Sequence, residues 1–318
     1  MAPTWVRALR HLVGGPIVAL LPAGIQREGH VITFSDVEVP EHIEHRFTLP
    51  DGRTLAVAEW GDPAGIPCFM IHGTPGSRIA WWLDPTIYAR HGIRRFTVDR
   101  AGYGESTRRP GRIVADFVPD IVAVADTLGL GRFVVTGGSG GGPHALALAA
   151  MLPDRVVRCM AAVSVAPYPA EGLDWFAGLT EGNVIEFKAA LAGEEASREL
   201  LTGLRTEVAS RMAAGRVDWM GDDYELSDAD VAQMSADGWV DDNLAFTKPW
   251  GFDVEDIRVP VVLTYGRTDV LVPAAHGDWL AAHIPAAEAW VDEAAGHMGD
   301  DSTVERDMAW LGQPDPLN

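Results

Sequence analysis

Cysteine is nearly missing from this chain of 318 residues, which holds 2, Cys68 and Cys159. Both lie in apolar runs, IPCFMIHG and VVRCMAAVSVA, and read as small buried hydrophobes. So few thiols exclude a disulfide-stapled scaffold and give no sign of an oxidising compartment. Basic residues are scarce as well. Lys and Arg number 25 against 45 Asp and Glu, a formal net charge of −20. Nucleic acid is thereby excluded as a partner, because phosphate binding needs clustered Lys and Arg. No apolar run approaches the ~18 residues of a membrane span. Near the N-terminus, Arg7 and Arg10 precede LVGGPIVALLPAGI, which superficially resembles a secretory signal. Pro16 and Pro22 interrupt that run, however, and no A-x-A site follows it. Residues 1–45 therefore read as an arm, packed on the domain or on the second copy of a homodimer, in a cytoplasmic protein.

What is present is ordinary globular material, 47% hydrophobic and 22% charged. The length sits where single cores stop growing, so one large domain with an insertion is expected. Short apolar runs (RTLAVAEW, PCFMIHG, IRRFTVD, RFVVTGG, VVRCMAAVSV, VPVVLTYG and AEAWVDE) read as strands, bounded by Gly, Pro or Asp. Helical patterns separate them. In residues 116–129, Asp116 is placed to cap, Pro119 falls in the first turn, and Ile121, Val124, Ala125 and Leu128 form an apolar stripe. This alternation predicts an α/β fold, a mostly parallel sheet of about eight strands with helices on both faces.

The alternation stops between Pro167 and Lys248, and the residues lying between those two hold 17 acidic and 5 basic side chains. Residues 171–192, 194–214 and 226–240 carry apolar residues at helical spacing, and no convincing strand interrupts them. A helical cap over residues 167–248 is expected, inserted into a core formed by 46–166 and 249–318. Its acidic helices read first as solvated faces.

The most informative segment is RFVVTGGSGGGPHALALAAML, where a Val-rich strand meets Gly137-Gly138-Ser139-Gly140-Gly141 and passes straight into an Ala/Leu helix. So sharp a strand-to-helix turn holds a serine in a strained conformation with Oγ exposed, and needs small neighbours. The helix beginning there turns its positive end toward any charge forming nearby. A phosphate-binding loop is the bland alternative, but no Lys follows the glycines and no acidic ribose ligand is in place.

An ester-cleaving serine needs a base, an orienting acid and an oxyanion hole. The strand Val261–Tyr265 runs into Gly266-Arg267-Thr268-Asp269, putting Asp269 at the strand's carboxyl end. The next strand, about 287–291, leads to Glu293-Ala294-Ala295-Gly296-His297, so His297 reaches the same edge as Ser139. His72 competes for the base, but it precedes a Gly/Pro loop instead of following the acid and reads as loop-shaping. The backbone N–H groups of Thr74 and Gly140 are the candidate oxyanion pair.

With those residues in order, the chain resembles the α/β-hydrolase superfamily. The resemblance rests on HGTPGS, on Asp99-Arg100-Ala101-Gly102-Tyr103-Gly104-Glu105-Ser106, on GGSGG, on GRTD and on the terminal AGHM, covering about 45 to 318. It implies a nucleophile at Ser139, a base at His297, an orienting acid at Asp269, and a structural role for Asp99 and Arg100. Haloalkane dehalogenases and the epoxide hydrolases of this fold carry Asp as nucleophile, where this chain has Ser139. Proline iminopeptidases show a glycine and a tryptophan where this chain has Thr74 and Gly140, although their caps use acidic residues to hold a free amine.

The expected activity is that of a serine hydrolase acting on a carboxylic ester or lactone of a small, mostly apolar molecule, with neither cofactor nor metal. Trp175, Phe176, Trp219, Trp239 and Phe246 of the cap, with Met298 beside the base, are the candidate pocket, against ordinary packing for each. Trp81 and Trp82 either line it or pack the following helix. An aminopeptidase would require a cap carboxylate such as Glu171, Glu181 or Glu186 near Ser139. A third reading is a hydrolase-fold protein that binds or shapes a small molecule without cleaving it.

Overall fold

Eight strands form one sheet in the order β1-β2-β4-β3-β5-β6-β7-β8 in the computed structural model. It describes residues 41–79, 86–213, 235–285 and 287–315. The strands are β1 (Ile43–Thr48), β2 (Thr54–Gly61), β3 (Ile66–Ile71), β4 (Ile93–Val98), β5 (Phe133–Gly138), β6 (Val156–Ala162), β7 (Val261–Gly266) and β8 (Ala287–Asp292). β2 pairs antiparallel with β1 and with β4; every other pairing is parallel. The expected α/β class and the mostly parallel sheet are observed. Seven strands coincide with the apolar runs. β1 was not among them, because it is an edge strand whose side chains are exposed or half-buried throughout.

Central strands show why the runs are continuous: both faces are covered. Phe69 and Ile71 of β3, Phe96 and Val98 of β4, and Phe133 and Val135 of β5 pack on one face, against α2 (Val118–Thr127) and α3 (Gly142–Met151). Cys68, Val134, Met160 and Val262 alternate to the other face. There they meet α1 (Ile87–Arg90) and α8 (Asp301–Leu311), whose Met308 and Leu311 are buried. Asp116 does not cap α2. It sits in a short 3-10 turn, Val114–Phe117, and its Oδ2 accepts from the Ile113 N–H at 2.9 Å, while Pro119 occupies the first turn of α2 as expected.

Between β6 and β7 lies a helical insertion: α4 (Glu181–Ala192), α5 (Glu194–Ala213) and α6 (Ala236–Phe246). Residues 171–180 are turns and loop instead of helix, since Thr180 caps α4 by accepting from the Asn183 N–H at 3.2 Å. Of the expected helix 226–240, residues 226–234 lie outside the described residues; Ser235 caps α6, its Oγ accepting from the Asp237 N–H at 3.2 Å, and the helix extends past the expected end to Phe246. Trp81, Trp82 and Trp219 lie outside the described residues, as does residues 1–40 of the expected arm. After β7 come α7 (Ala274–His283), β8 and α8. No helix among the described residues is long and apolar enough to cross a membrane.

Candidate functional site

Ser139 follows the last residue of β5 and takes φ +53°, a left-handed conformation that L residues seldom adopt. The turn closes so tightly that a Cβ at Gly137 would meet the Gly141 carbonyl, and one at Gly140 would run into Thr74. Glycine is needed at both positions for that reason. Gly140 therefore lies directly against the loop after β3, and its N–H belongs to the first turn of a helical run with no preceding turn to bond it.

Two loops at the carboxyl edge carry the other groups. Asp269, after β7, is buried; its Oδ1 accepts from the Leu271 and Val272 N–H groups at 2.8 and 3.0 Å. Its Oδ2 lies 2.8 Å from His297 Nδ1. Because a carboxylate accepts, Nδ1 carries the proton, and Nε2 is left as the lone-pair nitrogen. The His297 loop is tied down as well. Thr268 N–H and Oγ1 both donate to the Ala295 carbonyl at 3.0 and 2.8 Å, and Asp292 Oδ1 accepts from the Ala294 and Ala295 N–H groups at 2.8 and 3.0 Å. Ser139, Gly140, Thr74 and His297 all line one cavity of about 430 Å³.

A buried ionic cluster fixes the loop opposite Ser139. Arg100 donates to the His72 carbonyl, to the Gly73 carbonyl at 2.9 Å and to Thr74 Oγ1 at 2.9 Å. Both Arg100 and Arg112 reach Asp242 of α6 at 2.5 Å, and Tyr103 donates to it at 2.9 Å. Burial raises the pKa of Asp242, but the guanidiniums of Arg100 and Arg112 outweigh it and hold the carboxyl well below the usual range. His72 is structural. Its Nε2 accepts from the Arg100 N–H at 3.3 Å, so Nδ1–H donates to the Gly73 carbonyl at 2.8 Å, and burial keeps the ring neutral. Asp99 braces the next loop, accepting from Arg78 N–H at 2.5 Å and Arg78 Nη1 at 2.6 Å.

The acidic insertion is thus more than a solvated face. Asp241 and Asp242 are buried, and Asp241 takes both Nε and Nη2 of Arg108 at 2.8 Å. No feature of the sequence distinguishes Asp242 from its acidic neighbours, because the arginines it meets lie more than a hundred residues away.

Of the expected pocket residues, Trp239, Phe246 and Met298 line the cavity. Trp175 and Phe176 do not. Trp175 is buried in packing, its Nε1 donating to the Ala166 carbonyl at 2.9 Å and its ring edge-on to Phe187 at 4.6 Å. Phe176 packs beside it at 5.3 Å. Asn183, Phe187 and Asn243 are lining residues that the sequence pattern did not single out. Of the carboxylates in the inserted segment, Glu171 and Glu181 are exposed, while Glu186 faces the cavity. Burial pushes its pKa up to about 7, against the opposing pull of bonds from Asn243 Nδ2 at 3.3 Å and Trp239 Nε1 at 3.1 Å.

Comparisons with known proteins agree with this architecture. A family described as alpha/beta hydrolase fold matches residues 67–299. The chain is 29% identical over 238 residues to a non-heme chloroperoxidase of Streptomyces lividans, covering 72% of this chain and 83% of that protein. It is 26% identical over 283 residues to a proline iminopeptidase of Neisseria meningitidis serogroup B, covering 76% and 86%. It is also 26% identical over 242 residues to a pimeloyl-[acyl-carrier protein] methyl ester esterase of Nitrosomonas europaea, covering 73% and 89%.

Proposed function

The chain belongs to the alpha/beta hydrolase fold family, and on that premise we propose that it cleaves a carboxylic ester or lactone of a small, mostly apolar substrate through an acyl-enzyme on Ser139. The observation carrying this reading is the Asp269–His297 hydrogen bond of 2.8 Å opening on the same cavity as a serine at φ +53°. Ser139 Oγ attacks the carbonyl carbon while His297 Nε2 takes its proton. The tetrahedral oxygen is held by the N–H groups of Thr74 and Gly140, each worth about 3 kcal/mol in the transition state. Collapse expels the alcohol, which leaves with the proton from His297. Water then attacks the acyl carbon, giving one proton to Nε2, and Nε2 passes it to Ser139 Oγ as the acid departs and the enzyme is restored. Asp269 keeps the imidazole in the one tautomer that can do this.

The three related proteins are named for three different reactions, so the fold does not choose the substrate. Phe187, Phe246, Trp239 and Met298 around the cavity favour an apolar acyl or alcohol group. A peptidase gripping a free amine would want an ionised carboxylate. Glu186 is the cavity-facing candidate, and with no cation bound burial pushes its pKa up to about 7, so an ammonium would first have to draw off its proton. Both cysteines are free and buried, which supports a cytoplasmic setting.

Intact-mass labelling with a fluorophosphonate tests the nucleophile. One adduct on the native protein and none on Ser139→Ala is expected, together with hydrolysis of short p-nitrophenyl esters by the native protein alone. Folded native protein that takes no label would bring forward a non-hydrolytic binding role, and turnover by pure Ser139→Ala would reject the assignment.

A further inference from the structure

Glu186 sits on the inner side of α4, enclosed by protein but with its remaining accessible surface turned to the cavity that holds Ser139. Trp239 Nε1 and Asn243 Nδ2, one turn apart on α6, both donate to the same atom, Oε2. Oε1 receives no hydrogen bond among the described residues. That oxygen keeps access to the cavity, where a ligand can meet it.

The charged groups on the surrounding elements are engaged elsewhere. On α4 itself, Lys188 is exposed and lies over the Phe176 ring at 5.9 Å. On α5, Glu194 pairs with Arg198 at 2.9 Å and with Arg108 at 2.7 Å. On α6, Asp237 pairs with Arg198, Asp241 with Arg108, and Asp242 with Arg100 and Arg112. In the loop after β7, Asp269 is held by His297. Among the described residues no cation pairs with Glu186. Its two partners are neutral donors, so burial dominates and the carboxyl keeps its proton up to about pH 7. Since Oε2 already accepts two bonds, the proton belongs on Oε1, which makes that atom a hydrogen-bond donor into the pocket.

We propose that Glu186 is a specificity-determining residue that donates from Oε1 to a neutral acceptor oxygen of the substrate, a ketone or ether oxygen placed away from the carbonyl that Ser139 attacks. The preferred substrate is then an oxygenated ester or lactone, apolar along the chain but with one acceptor that meets Glu186. This inference rests on the ester reading for its reaction and on the Glu186 geometry for its substrate class. An ammonium group in the same place would require the ionised form.

The test compares methyl hexanoate, its keto analogue with the ketone at the penultimate carbon, and its ω-amino analogue, followed in a pH-stat. The readout is the ratio of kcat/KM for the keto ester to that for the plain ester, in which any pH effect on the shared chemical step cancels. Glu186→Leu should lower this ratio about three- to tenfold, the effect of one neutral hydrogen bond. Glu186→Gln, which keeps a donor, should restore it. In the native protein the ratio should fall as pH rises through about 7, while in Glu186→Gln it should stay flat. A ratio indifferent to both substitution and pH overturns the inference. So does a preference for the ω-amino ester that grows above neutral pH, the signature of a carboxylate–ammonium contact. If Ser139 takes no fluorophosphonate and neither ester turns over, it is the ester reading that fails. Calorimetric binding of the keto ester to Ser139→Ala, with and without Glu186→Leu, then decides the recognition step by itself, and equal affinities reject it.

Discussion

Thr74 Oγ1 donates to Asp242 Oδ2 at 2.5 Å, joining the loop after β3 to the middle of helix α6. The same carboxylate binds Arg100 and Arg112, so one buried anion ties the inserted helix, the loop bearing the Thr74 N–H and the sheet edge into one unit. The loop bearing the Thr74 N–H and the pocket wall made by Trp239 and Asn243 are therefore set by a shared group.

Replacing Asp242 by Asn keeps the shape and removes the charge, leaving Arg100 and Arg112 uncompensated in the interior. A loss of about 3 kcal/mol in stability is expected, the usual cost of breaking a buried pair. Thr74→Val should act more locally, lowering kcat about tenfold or more with a smaller change in KM, because a charge-assisted bond that positions the loop is lost. Thr74→Ser should restore the rate. Urea unfolding and steady-state kinetics on the three variants check this, and a wild-type kcat in Thr74→Val would detach the loop from catalysis.

Gly140 should tolerate no side chain. A methyl group there enters the space of Thr74, so Gly140→Ala should push the two N–H groups apart and cut kcat by about a hundredfold or more. Circular dichroism should stay native-like. Full activity in that variant would show that the loop can yield.

At Ser139 the backbone itself is strained, with φ +53°. Glycine removes that strain and alanine does not. Ser139→Gly should therefore be about 1 kcal/mol more stable than Ser139→Ala, although both are inactive. Melting temperatures of the two variants decide it; the reverse order would mean that the turn relaxes when the hydroxyl is removed.

Acid should destabilise the fold before the surface carboxylates titrate. His276 is fully buried; its Nδ1 accepts from the Ala166 N–H at 3.1 Å and its Nε2–H donates to the Trp175 carbonyl at 3.0 Å. Burial lowers its pKa from 6.5 to about 4. Between those values the unfolded chain binds a proton that the folded protein refuses, so stability is lost as pH falls from 6.5 toward 4. The loss is on the order of 3 kcal/mol. His144, pushed down to about 3 by burial and then by Arg100, acts in the same direction. Chemical denaturation at pH 8 and pH 5 should show the drop, and His276→Gln should flatten it. An unchanged slope would place the acid sensitivity elsewhere.

The sequence by itself determined the strands that are buried on both faces, because continuous Val-rich runs between Gly and Pro leave no other economical structure. It also placed Ser139, Asp269 and His297 on one edge, since each lies within a few residues of the end of a parallel strand and parallel strands share one carboxyl edge. β1 escaped it, being an exposed edge with no apolar alternation to read. So did the start of α4, where Thr180 ends a loop whose Trp175 and Phe176 mimic a helical stripe. Tertiary structure alone distinguished Asp242 and Glu186 from the other described acidic side chains between Pro167 and Lys248. Asp242 meets arginines from the far side of the chain and becomes a buried strut. Glu186 meets the neutral donors of Trp239 and Asn243 at the cavity wall, where burial raises its pKa. Local pattern reports which residues are apolar or charged, but the partner a charge meets is set by chain crossings a hundred residues apart.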